Sequence, residues 1–117
     1  MNFEKLQKAT LLAEHQKETA RKYAEHREKA SKAKSDLDIL LTVKFADIRF
    51  DKPNCGIETA YIMLMERDNL AKELYKDWQL NEGKYKGLER LLDAQATELM
   101  LYMAILKRQT EGEKWGN

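Results

Sequence analysis

The sequence predicts an all-α protein built as a long antiparallel helical hairpin, coiled-coil-like and oligomeric. Three observations carry this reading. The 117 residues include one Pro and five Gly, with Ala, Glu, Lys and Leu abundant and 35% of positions charged, a composition suited to long helices. Only one stretch, Phe50-Asp51-Lys52-Pro53-Asn54-Cys55-Gly56, is dense in turn residues. Beyond it, every seventh residue from Ile57 is apolar: Ile57, Leu64, Ala71, Trp78, Tyr85, Leu92, Leu99 and Leu106. A sustained period of seven marks a seam where one helix meets another.

The first helix is expected over roughly residues 3–49. Its seam runs through Ala20, Tyr23, Ala30, Leu37, Leu41, Phe45 and Ile48, which share a face at 100° per residue. Arg27 and Lys34 fall on that face too. Burying bare charges costs several kcal/mol, so either these two snorkel or that part of the seam faces water or an anion. Pro53 lacks an amide donor and pushes Lys52 out of the helical region, which should stop the helix near Arg49 to Asp51. Asn54 is then expected to cap the next helix, with Glu58 favouring its positive end.

The second helix is expected over 55–109, with a possible break near 67–69, where Asp68 or Asn69 offers a fresh cap. The partner seam positions are mixed: Ala60, Arg67, Leu74, Asn81, Leu88, Gln95 and Tyr102. Polar seam members lower stability and specify register. Gly83 and Gly87 each cost roughly 1 kcal/mol in a helix interior and imply a bend or a close backbone approach. Residues 1–109 thus read as a single helical-hairpin domain and 110–117 as a mobile tail, too polar and glycine-rich to extend the helix. Trp115 in that tail either folds back onto the hairpin or a neighbouring subunit, or anchors a partner protein.

One seam between two helices cannot also cover Tyr61, Met63, Leu70, Leu91, Met103 and Ile105, which lie beside it. This surplus predicts a homo-oligomer. Ile57, Leu64, Trp78, Tyr85, Leu92, Leu99 and Leu106 are the seam residues expected to serve the assembly.

Several function classes are excluded as expectations. No apolar run, Ala60 to Met65 included, comes near the roughly 20 residues a membrane span needs, and Glu4, Lys5 and Lys8 interrupt any signal peptide. A lone Cys55 fits a reducing cytoplasm. Ser31, Ser35 and Cys55 have no local base, the glycines form no phosphate loop, and His15 and His26 are eleven residues apart, too far to share a metal. The reading is therefore not an enzyme, with no metal and no cofactor.

Binding is what remains. Net charge is +1, yet Lys17 to Lys34 holds seven bases against three acids. Such a run is either a solvated helix face or a track for phosphates. Single strands are held by cations along the backbone and by aromatic rings that stack on bases. Lys17, Arg21, Arg27, Lys32 and Lys34 are the candidate DNA contacts, with Tyr23 as a possible stacking ring. In a closed ring the modest patch would repeat into a stronger field.

The Ala- and Lys-rich helix from His26 to Lys34, the Lys52-Pro53-Asn54 turn, Ile57-Glu58-Thr59-Ala60, and a closing helix with Tyr85, Leu88, Leu91 and Leu92 together resemble the UvsY-type recombination mediators of tailed bacteriophages. The resemblance covers roughly residues 20–108. It implies a ring-forming helical protein of the host cytoplasm that binds single-stranded DNA non-specifically and loads a recombinase in exchange for single-strand binding protein. Where relatives often carry a helix-breaking proline after the short helix, this chain has Arg67-Asp68-Asn69. The alternative is a small helical phage protein that inhibits or adapts a host protein through protein contacts alone.

Overall fold

The structure, a computed structural model, describes residues 3–114. It is all-helical: α1 (Phe3–Asp51), α2 (Ile57–Arg67) and α3 (Asn69–Lys114), with no strand among the described residues. α1 contains neither Gly nor Pro and ends two residues before Pro53. Its last turn closes with Lys52 N–H donating to the Ile48 carbonyl at 3.0 Å.

Asn54 does not cap α2. It holds the left-handed backbone conformation that reverses the chain, at φ 67°, a region asparagine tolerates better than most residues. The cap falls to Gly56, which supplies no side-chain bond.

The second helix is broken, and Asp68 is the reason. Its backbone is extended (φ −125°, ψ 117°) and its N–H closes α2 on the Leu64 carbonyl at 2.9 Å. Its Oδ1 accepts from Leu70 N–H at 2.9 Å and Ala71 N–H at 3.2 Å, satisfying two orphan donors of α3. A single aspartate therefore ends one helix and starts the next without a proline.

Contacts group the chain into two compact units. In the unit Glu25–Lys84, the second half of α1 meets α2 and the start of α3. Its core is Leu37, Leu41, Ile48, Cys55, Ala60, Leu64 and Ala71, with Phe45, Tyr61, Met63 and Trp78 packed against it. The break at Asp68 lets α2 lie on α1 as a third helix, so Tyr61 and Met63, expected to need another chain, are partly buried against the chain's own core. Ile57 is 66% exposed and leaves the seam; it is the first residue of α2, while Ala60 and Leu64 one and two turns on are buried. Arg67 and Asp51 pair at 2.7 Å, joining the ends of α2 and α1.

In the unit of Met1–Ala24 with Tyr85–Asn117, two antiparallel helical segments share a thin core. On α1, Ala9 and Thr19 are buried, and Leu12, Gln16 and Tyr23 are half-buried. On α3, Tyr85, Leu88, Leu92, Gln95, Leu99 and Tyr102 are half-buried and Leu106 is buried, repeating the expected alternation of three and four residues. Ala20 is exposed; Thr19 takes the inward position and satisfies its hydroxyl by donating to the His15 carbonyl at 3.0 Å. The far end is tied by Tyr102 Oη donating to the Lys5 carbonyl at 3.1 Å, with Lys8 Nζ 5.0 Å from the Tyr102 ring.

α3 runs on through Lys114, beyond the end expected at 109. Thr110 returns its hydroxyl to the Leu106 carbonyl at 2.9 Å, and the glutamates that follow are good helix formers. Trp115 lies outside the described residues.

Candidate nucleic-acid interface

The predicted DNA contacts divide between the two units. In the first, Lys17 is exposed and makes no ion pair among the described residues. Arg21 forks onto Glu18, with Nε to Oε2 at 3.1 Å and Nη2 to Oε1 at 2.6 Å. The Arg21 hydrogen bond, aided by the charges of Arg21 and Lys22, holds the Glu18 carboxyl below its ordinary value. Both side chains remain more than half exposed, so a phosphate could exchange for the carboxylate at little cost. Tyr23 is committed to packing: its ring meets Tyr85 edge-on at 5.9 Å between centroids. The ring is half-buried in that contact.

In the second unit Arg27 and Lys32 are exposed. Lys34 is half-buried, with its side chain 36% exposed. Its Nζ donates to Asp38 Oδ1 at 2.7 Å and to Tyr61 Oη at 3.0 Å. It also stands 4.8 Å from the Tyr61 ring centroid and 4.9 Å from that of Trp78. Of the two alternatives open for a seam cation, Lys34 fits snorkelling: an aspartate and two aromatic rings receive its head while the side chain stays partly in water.

A groove formed by residues distant in sequence lies in this same unit. His26 Nδ1 and Asn81 Oδ1 meet at 2.9 Å across α1 and α3, and beside them a groove of about 540 Å³ opens. Lys29, Lys32 and Lys84 line it together with Asp36 and Asp77. Lys29 also pairs with Glu25 at 3.2 Å, in solvent. Asn81 was visible as a polar seam position, but nothing local in the sequence said that Lys84 would stand near Lys29.

Apart from Ile57, the seam residues expected to serve an assembly are wholly or partly buried within one chain. Leu64 and Leu106 are buried, and Trp78, Tyr85, Leu92 and Leu99 half-buried. The apolar surplus persists elsewhere: Leu70, Leu91, Met100, Met103 and Ile105 are 44–64% exposed.

Among the described residues no three His, Cys, Asp or Glu side chains gather as a metal site, and no helix is long and apolar enough to cross a membrane. Comparison of the chain with protein-family models, curated proteins and solved structures gives no match.

Proposed function

We propose that this protein is a non-enzymatic, single-stranded-DNA-binding recombination mediator of the kind its sequence resembles. It acts as a homo-oligomeric ring in the host cytoplasm and loads a recombinase in exchange for single-strand binding protein. The observation that supports this most is that α1 keeps cations in solvent in each unit, Lys17 in one and Lys32 in the other, with no ion pair among the described residues. Arg21 and Arg27 are exposed alongside them.

The phosphate contacts are therefore assigned to Lys17, Arg21, Arg27 and Lys32. Lys34 and Tyr23 act on the fold instead. Contacts of this class position a strand without reading its sequence. The exposed Leu91, Met100, Met103 and Ile105 are the surfaces through which copies would associate.

The test is fluorescence anisotropy with labelled single-stranded and duplex oligonucleotides across a salt series. The single strand should bind more tightly, with affinity falling steeply as salt rises. Lys17→Glu combined with Lys32→Glu should weaken all single-stranded sequences about equally, roughly tenfold or more, and flatten the salt slope by about two. Unchanged affinity would return the basic run to a solvated face. Light scattering that gives a 13.7 kDa monomer at micromolar concentration would remove the ring.

A further inference from the structure

The groove beside His26 does not end at Asp36 and Leu74. Those two residues also line a second cavity of about 280 Å³, completed by Ile39, Leu40, Val43 and Leu70. The two cavities share their boundary residues, so they form one continuous furrow between α1 and the start of α3, wholly within the unit Glu25–Lys84. From His26 to Val43 it follows 17 residues of helix, about 25 Å. One end carries Lys29, Lys32 and Lys84; the other is apolar, with Ile39 59%, Val43 71% and Leu70 54% exposed.

We propose that this furrow is a docking site for an acidic, apolar peptide segment of another protein, its carboxylates on Lys29 and Lys84 and its large apolar side chains on Ile39, Leu40, Val43 and Leu70. Charge and hydropathy together choose the occupant. The three ammonium groups at one end exceed Asp36 and Asp77 by one charge, which favours an anionic ligand, and charge-assisted bonds to carboxylates suit lysines. A nucleic acid strand fits less well. No Phe, Tyr or Trp lines either cavity, the ring of His26 is held against Asn81, and the Ile39, Leu40, Val43 and Leu70 end offers a phosphate backbone no partner. A polypeptide brings N–H donors that the Asp36 and Asp77 carboxylates accept, and it brings the apolar side chains the far end requires. The span matches about eight residues in extended form or five turns of helix.

The proposal does not rest on the DNA reading, and its test leaves Lys17, Arg21, Arg27 and Lys32 untouched. The probe is a fluorescein-labelled peptide of about twelve residues, with four Asp or Glu at one end and Leu, Ile and Phe at the other. Controls are the same peptide with Lys in place of each acid, and an oligo-dT strand. The acidic peptide should bind the full-length protein at least tenfold more tightly than its lysine counterpart. Lys29→Glu with Lys84→Glu should weaken it tenfold or more. Val43→Asp should weaken it at least fivefold, and because Val43 is exposed, helicity and melting temperature should be retained.

Equal binding of the acidic and basic peptides, or indifference to both variants, would overturn the proposal. Loss with the lysine variants but not with Val43→Asp, accompanied by full displacement by oligo-dT, would overturn it in favour of nucleic acid in the furrow. Because single-strand affinity is measured separately on the Lys17→Glu, Lys32→Glu protein, failure of either reading leaves the other standing.

Discussion

Lys34 Nζ donates to the hydroxyl of Tyr61 at 3.0 Å and stands 4.8 Å from the centroid of the same ring. One ammonium on α1 thus meets both the polar tip and the apolar face of a residue on α2, while Asp38 balances its charge from one turn along. Replacing Lys34 by Met keeps the stem but removes the charge and its donors. The expected result is a loss of about 1–2 kcal/mol in denaturant unfolding, with single-strand affinity per folded molecule changed less than twofold. A large drop in affinity at unchanged stability would restore Lys34 to the phosphate contacts.

Asp68 joins three demands: two α3 amides and Lys44, whose Nζ lies 2.7 Å from Oδ2. The Lys44 hydrogen bond, followed by the one from the Ala71 amide, holds the Asp68 carboxyl below its ordinary value near 3.8. A depressed carboxylate adds stability at pH above its ordinary value and loses it as pH falls through the lower folded value. Asp68→Ala should lower the melting temperature by several degrees at pH 7. The gap between variant and parent should close as pH is lowered from 4 towards 2; a gap independent of pH would exclude the charge as its source.

Leu64 is 1% exposed whereas Leu92 is half-buried. Leu64→Ala should cost about 2–5 kcal/mol, and Leu92→Ala clearly less in the isolated chain. Measured over a range of protein concentrations, equal costs that grow with concentration would show that a second copy completes the burial of Leu92.

Gln95 keeps a buried side-chain oxygen, Oε1, without a hydrogen-bond partner among the described residues. An unsatisfied buried acceptor costs about 1–3 kcal/mol, so Gln95→Leu should raise stability by an amount of that order. If the variant is instead destabilised or changes its oligomeric mass, the amide acts in specifying register or assembly, as polar seam residues do.

The sequence by itself determined the class of fold and most of its punctuation. Pro53 ended α1, Asp68 supplied the cap that broke the second helix, and the period of seven placed Ala71, Trp78, Tyr85, Leu92, Leu99 and Leu106 on the inward face of α3. These are local properties: a proline's missing donor, a carboxylate two and three residues from open amides, and the angular position of a residue on its own helix. Register between helices is not local, and only the tertiary structure decided it. It set Tyr23 against Tyr85, delivered Lys34 to Tyr61 and Trp78, put Ile57 in solvent, and brought Lys84 to the groove that Lys29 lines. Helical periodicity states which side of a helix a residue occupies; what it meets there depends on the neighbour's axial position, set by packing across the whole interface.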